Sequence, residues 1–523
     1  MNTLLKTINK WAKTTPENLA FVGEDNSGQS VRISYIELQE KILKTAKALT
    51  AQNIKVLALR SQNSPNWAIV DLAAMHANIV VVPIPTFFSI AQVEHTLHQS
   101  GVDALIGDWQ AFSDLSQKKF SAVQVNNIVI AGLPLMFRTA PEQVSYLTGT
   151  GKITFTSGST GQPKGVCLSN EHLYQVANSL AQSVRHIART HLVLLPLSTL
   201  LENITGIYVP LLLGGTSYIL PGEQTGLTGS SQFDTTMFAK ALARVKPDSL
   251  VLTPALLLAL IQIIQQQPEL SASLTFVAVG GARVSSQLIN AAHSLHIPAF
   301  EGYGLSECGS VVCLNTPSHF KPGTSGKPLP HVQVRIAEDG ELLVSGNTAL
   351  GYLNEAFAQE WLATGDLAQI DDHGYITLSG RKKNLIVTAY GRNISPEWVE
   401  SEALSFLPST PLIVTGDTQQ ALCAVAASYN GISDDLSDGN CDSIKAQIAA
   451  LNSTLPDYAQ IRMLLIIENP QAITHWYTEN GKLKRDQIEQ SVSQFLSCKT
   501  SELTLDGQKV QIIDLPFQQS IAS

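Results

Sequence analysis

The chain has 523 residues, 44% apolar and 15% charged, enough for three or four compact units at roughly 100–200 residues each, and too apolar for a disordered chain. A net charge of −9 argues against a nucleic-acid-binding surface as the main role. Its cysteines (Cys167, Cys308, Cys313, Cys423, Cys441 and Cys498) form no C-x-x-C and no cluster of zinc spacing, which suits a reducing cytoplasm.

The N-terminal stretch has leucines and isoleucine at helical spacing with interspersed lysines, without the apolar core or cleavage site of a secretory signal. Signals then alternate. Ser34–Thr50 reads as a capped helix, Ile54–Leu59 as a strand, Asn66–Met75 as a helix and Ile79–Ile84 as a buried strand. Ser89–Ser100 and Ala104–Gly107 repeat the rhythm, as do a helix at Asn170–Ala188, a strand at His191–Leu195, an apolar helix at Ile207–Leu213 and a strand at Thr216–Leu220. Gly222–Ser231 reads as a loop. Thr235–Val245, Pro254–Gln265 and Ser285–Leu295 read as helices, separated by strands at Ser249–Leu252 and Leu274–Val279. Such alternation implies βαβ units and parallel sheet. The two most apolar windows, Trp67–Phe87 and Leu250–Ile264, are respectively broken by Asp71, His76 and prolines, and shorter than the ~20 residues that span a bilayer. At most a peripheral membrane contact is expected.

After Pro317 come short β segments at Val332–Ile336, Glu341–Val344 and Tyr375–Leu378, and from Gly380 a compact α+β unit. In that unit Pro396–Phe406, Ser443–Leu455 and Gln487–Phe495 read as helices. Leu412–Thr415 and Ala421–Ala427 read as paired strands, and Met463–Ile467 as another. The Thr504–Pro516 run carries no readable motif. The expected fold is α/β: a large N-terminal domain (1–379) of layered βαβ subdomains plus a small β-rich subdomain, then a small mobile α+β domain (380–523).

The stretch with the most chemistry is Ile153–Ser169, ITFTSGSTGQPKGVCLS. A β-rich lead enters Thr156, Ser157, Gly158, Ser159, Thr160 and Gly161, and Lys164 follows Pro163. Glycines let a backbone approach a ligand closely, hydroxyls and exposed N–H groups donate to anionic oxygens, and lysine adds a point charge suited to phosphate. The spacing is neither a P-loop nor a dinucleotide fingerprint.

This loop resembles the phosphate-binding signature of the acyl-adenylate-forming (AMP-binding) superfamily: acyl-CoA synthetases, peptide-synthetase adenylation domains and luciferases. Further stretches match in order. Gly280-Gly281-Ala282 resembles the turn along the adenine. Tyr303-Gly304-Leu305-Ser306-Glu307 resembles the segment whose aromatic ring stacks on adenine and whose carboxylate, with Thr156, holds Mg²⁺. Asp366 in Thr364-Gly365-Asp366 matches the ribose-binding aspartate, Arg381 a ribose and phosphate contact, Lys383 a hinge, and Lys482 the lysine that enters for adenylation. The stretch from Gly380 to Glu400 is most similar to long-chain fatty acyl-CoA synthetases. Where the family often has histidine, this chain has Thr199; Thr199, Glu202 and Gly281 are therefore expected at the substrate pocket.

The resemblance implies ATP-dependent activation of a carboxylic acid, such as a medium- or long-chain fatty acid, as acyl-AMP, with ATP, Mg²⁺ and coenzyme A. Transfer to the phosphopantetheine arm of an acyl carrier protein is the alternative, and a non-catalytic nucleotide-binding homologue a third.

Overall fold

The computed structural model describes residues 3–109, 123–138, 144, 146–156, 163–229, 232–389, 392–408, 410, 412–417, 419, 421–427, 438–467, 470–477, 483–497, 504–506 and 508–515. Its framework is two nine-stranded sheets sharing one apolar core. In the first, the parallel centre runs Ala299–Tyr303, Phe276–Val279, Ser249–Leu252, Thr190–Val193, Thr216–Ile219 and Leu19–Glu24. In the second, Val80–Pro83, Val56–Arg60 and Ala104–Gly107 are parallel, and Thr150–Thr156 joins beside Val80–Pro83.

Local chemistry explains many of these elements. Ser34 and Glu37 form a reciprocal capping box at the start of the helix Tyr35–Ala51. Pro65 sits in the first turn of the helix Pro65–Ala77, behind Ser64 as cap. That helix is apolar nearly all round, as a helix packed on every side must be. Its Trp67, Ile69 and Val70 meet Leu4, Ile8, Tyr35 and Leu38 in the shared core. A second core lies where the helices Thr235–Val245, Pro254–Gln266 and Ser286–Ser294 cover the opposite face of the first sheet.

The apolar helix expected at Ile207–Leu213 is different. A π-helical segment, Asn203–Tyr208, precedes a short α-helix, Val209–Leu213. Pro210 has no N–H for the carbonyl of Gly206. That carbonyl instead accepts a 2.6 Å hydrogen bond from the Ser217 hydroxyl, so the wider turn leaves no orphaned group. The Gly222–Ser231 loop contains a helical turn, Gly222–Thr225, and a short strand, Leu227–Thr228. Two hairpins add to the expected elements: Leu19–Glu24 with Ser30–Ser34, and Val123–Ile130 with Leu133–Arg138.

The β-rich segment is a four-stranded antiparallel sheet, Val332–Ile336, Glu341–Gly346, Leu362–Ile370 and Ile376–Arg381. The sequence boundary at 379/380 therefore falls within its last strand. The C-terminal unit has a five-stranded sheet. Leu412–Thr415 and Leu422–Ala427 pair antiparallel as expected. Gln508–Asp514, from the unreadable run, pairs with Ile461–Ile467. Among the described residues, no helix is long and apolar enough to cross a membrane.

Candidate active site

A cleft of about 1370 Å³ runs from the C-terminal ends of the first sheet's strands to the C-terminal unit, with a deep branch along the sheet face. On one side stands the hairpin Thr150–Thr156/Lys164–Ser169, in which Thr156 and Lys164 are paired across the strands. Of the phosphate-loop residues expected from sequence, Ser157, Gly158, Ser159, Thr160 and Gly161 lie outside the described residues. The next strand, Gly351–Tyr352, pairs with the same hairpin. It places the Tyr352 ring 4.9 Å from Lys164 Nζ, and the Tyr352 hydroxyl donates to Glu307 Oε1 at 2.9 Å. Thr156, Lys164 and Glu307 thus border one region of the cleft, joined by Tyr352, which no sequence signal singled out.

On the other side, Asp366 stands opposite Arg381 in neighbouring strands. Arg381 Nε lies 2.8 Å from Asp366 Oδ1, and the Tyr303 hydroxyl donates to Oδ2 at 2.7 Å. Burial raises the Asp366 pKa, with Arg381 and Tyr303 opposing that rise. Gly365 supplies the positive-φ turn before it, and the Gly365 N–H donates to Glu341 Oε1 at 2.7 Å. Gly304 is required by space: a Cβ there would sit 2.0 Å from the carbonyl oxygen of Ser310. Ser306, Gly304, Gly281 and Ala282 all line the cleft, with Gly281 at φ +81.

The deep branch lies between the first sheet and two helices. His191, Ser249, Val251, Phe276 and Ala278 face it from the strands. Leu180 and Val184 of the helix Asn170–Val184, and Val209, Pro210 and Leu213, cover it. Thr199 and Gly281 stand at its mouth. Glu202, expected beside them, is instead completely buried one layer behind the wall, and its carboxylate meets His191 Nε2 at 3.1 Å. The register of the strand bearing His191 and the π-helical turn put it there.

The chain matches the family described as AMP-binding enzyme over residues 8–353, more than half its length. The chain belongs to this family. It is 27% identical over 425 residues, 69% of this chain and 70% of the relative, to the long-chain-fatty-acid–CoA ligase FadD15 of Mycobacterium bovis. It is 25% identical over 422 residues, 75% of this chain and 81% of the relative, to the 2-succinylbenzoate–CoA ligase of Bacillus subtilis. Among solved structures, it resembles O-succinylbenzoate coenzyme A synthetase from Bacillus subtilis in complex with AMP, with TM-score 0.69 and 22% identity over 94% of this chain and 98% of that one. An anthranilate CoA ligase in complex with anthranoyl-AMP gives TM-score 0.74 at 17% identity, over 94% of this chain and 97% of that one. These likenesses show the shared fold.

In this AMP-binding enzyme the C-terminal unit meets the cleft through Arg381, Lys383 and Leu483–Gln487. Lys482 lies outside the described residues. Lys383 is in a single 3₁₀ turn, Lys382–Asn384, just after the four-stranded sheet. Its neighbour Asn384 donates to Glu397 Oε1 at 2.6 Å, and Arg485 Nε lies 3.1 Å from the same oxygen. Arg485 also grips Glu400 with both terminal nitrogens, at 3.1 and 2.6 Å, a fork matched to a carboxylate.

Two further groups in the cleft carry no sequence signal. Arg283 donates to the carbonyl of Leu378 at 2.9 Å and has Glu301, Glu402 and Glu397 as charged neighbours. Burial raises the Glu301 pKa from 4.5 to about 7, against the opposing effects of the Ser325 hydrogen bond and Arg283. The native state thus holds this proton to higher pH than the unfolded chain, so its contribution to stability falls as pH rises from about 4.5 to 7. Glu301→Gln is expected to melt close to the parent at pH 5 and above it at pH 8; thermal scans with the same offset at both pH values would refute the assignment.

Proposed function

We propose that this AMP-binding enzyme is an ATP-dependent, AMP-forming acyl-CoA ligase acting on a medium- or long-chain acid in the cytoplasm. The observation that carries this reading is the convergence of three regions on one cleft. Thr156, Lys164 and Glu307 border one side, Tyr303, Asp366 and Arg381 the other, and a largely apolar branch leads away between them.

Gly281 and Ala282 would line the adenine and Tyr303 would pack on it. Asp366 would accept from the ribose hydroxyls; Tyr303 and Arg381 orient it and leave lone pairs on both oxygens. Thr156, Lys164 and the loop between them would hold the β- and γ-phosphates. The acid's carboxylate would then attack the α-phosphorus, with pyrophosphate leaving. Lys482 would bridge the two anions as charge builds. The thiol of coenzyme A would then attack the acyl carbonyl carbon, and AMP would leave.

Among the described residues no group of three or more His, Cys, Asp or Glu side chains could hold a metal ion by itself. Glu307, with one oxygen fixed by Tyr352, and Thr156 are hard oxygen donors that fit Mg²⁺ carried in on phosphate. Such an ion would neutralise the phosphate oxygens.

The elongated branch favours an extended acyl chain. The relatives that act on 2-succinylbenzoate, by their names, make a compact aromatic acid the second reading. Rotation of the C-terminal domain about Lys383 would exchange the two half-reactions. Lys482→Ala is expected to slow acyl-adenylate formation by about 10²–10³-fold while thioester formation from supplied acyl-adenylate continues. Equal loss of both half-reactions in single-turnover assays would remove Lys482 from its role.

A further inference from the structure

The deep branch is not uniformly apolar. His191 and Ser249 are directly opposite one another in neighbouring parallel strands. His191 Nδ1 is 3.1 Å from Ser249 Oγ, and its Nε2 is 3.1 Å from Glu202 Oε1. All are buried, at 3%, 6% and 0% exposure, and His191 and Ser249 line the cavity together with Phe276, Val209 and Leu213. Gly206 makes room, since a Cβ there would lie 2.8 Å from Glu202 Oε1. Burying this polar set in an apolar wall costs free energy, and leucine or valine would line a purely aliphatic pocket without that cost.

Serine, histidine and glutamate in series are also the elements of a hydrolytic triad. Position excludes that use. Thr199, Thr253 and Gly280 line the other end of the branch, where the acyl-CoA ligase reading would put the activated carbonyl. Ser249 begins the strand that ends just before Thr253, about 13 Å away at the rise of a β-strand. The serine therefore faces the distal part of an acyl chain.

Its capacity for hydrogen bonds can be counted. If ionised Glu202 accepts from Nε2–H, then Nδ1 is bare and the Ser249 hydroxyl donates to it. If Glu202, whose pKa burial raises, holds a proton, the ring turns Nδ1–H towards Ser249, whose own proton can go to the Asp248 carboxylate or to the carbonyl of Thr190 at 3.4 Å. In both states Ser249 Oγ keeps an unspent lone pair. The group that fits is a donor, namely an alcohol O–H.

Resting on the acyl-CoA ligase reading, we propose that Ser249 and His191 form a specificity station for acids carrying a hydroxyl about 13 Å from the carboxylate, on the order of ten carbons along an extended chain. Ser249 accepts from that hydroxyl, and His191, held by Glu202, fixes the serine.

The test is acid-dependent ATP–pyrophosphate exchange with straight-chain acids of about eight to twelve carbons, each with and without a terminal hydroxyl. The parent should favour the hydroxylated member at one chain length by about three- to tenfold in kcat/KM, the worth of one net hydrogen bond. Ser249→Ala should abolish that preference, bringing kcat/KM for the hydroxylated acid down to that for the plain acid of the same length, and Ser249→Thr should restore it. Ser249→Ala keeps the His191–Glu202 pair, and so avoids orphaning a buried carboxylate as His191→Leu would. Absence of any preference in the parent, or its survival in Ser249→Ala, overturns the proposal. No exchange with any straight-chain acid, hydroxylated or plain, instead overturns the acyl reading beneath it.

Discussion

Glutamine at position 307 is expected to slow acyl-adenylate formation by about 10²–10³-fold. The neutral amide keeps the shape but brings no negative charge to a phosphate-borne cation, and its NH₂ would present donors where acceptors are needed. The geometry makes the loss local. Glu307 lies in a short 3₁₀ turn, Ser306–Cys308, with Oε1 fixed by the Tyr352 hydroxyl. Tyr352 is in turn held by strand pairing to the hairpin that bears Lys164. Thioester formation from supplied acyl-adenylate involves no pyrophosphate and should be far less affected. Rapid-quench measurement of each half-reaction separates the two. An unchanged adenylation rate would remove Glu307 from the phosphate region.

Lys152→Met is expected to cost about 3–5 kcal/mol of stability, the usual penalty for leaving one member of a buried pair alone. Lys152 Nζ lies 2.7 Å from Asp71 Oδ1, with side-chain exposures of 2% and 1%. It also donates to Tyr208 at 2.9 Å and to Asn203. Tyr208 donates to Asp71 Oδ2 at 2.6 Å, and Asn203 at 3.2 Å. Burial pulls the lysine pKa down while Asp71 pulls it back up. Removing the lysine strands the carboxylate together with its two remaining donors. Adding Asp71→Leu should recover part of the loss by removing the stranded carboxylate, while Tyr208 and Asn203 lose the acceptor they shared. Urea denaturation of the single and double variants measures both effects. A loss under about 1 kcal/mol for Lys152→Met would mean that the charge finds compensation elsewhere. The network joins the strand that leads to Thr156 with the π-helical turn beside the deep branch, so its worth to the enzyme includes the relative placement of two halves of the cleft.

The sequence was most legible where a short segment acts through its own backbone. The hairpin around Lys164, the turn before Asp366 and the alternating strands and helices all depend on residues close in the chain. Tyr303 and Asp366 could be singled out, but their hydrogen bond depends on packing the four-stranded sheet against the first sheet. Longer-range pairings left no local trace. Asp71 reads as an interruption in an apolar window, and Lys152 carries no signal. His191 meets Ser249 only through strand register, and Glu202 reaches it from the turn Leu200–Glu202 at the head of the π-helical segment Asn203–Tyr208. The Leu19–Glu24 strand was hidden behind the helical spacing of the residues before it. Gln508–Asp514 has a short alternating pattern that acquires meaning only beside Ile461–Ile467.

Carboxylate-dependent ATP–pyrophosphate exchange, run across straight-chain acids of graded length beside compact aromatic acids, decides between the two substrate readings. Exchange should require both Mg²⁺ and acid and be strongest for an extended acyl chain. Exchange with none of the acids, or with aromatic acids alone, would overturn the acyl-CoA ligase reading.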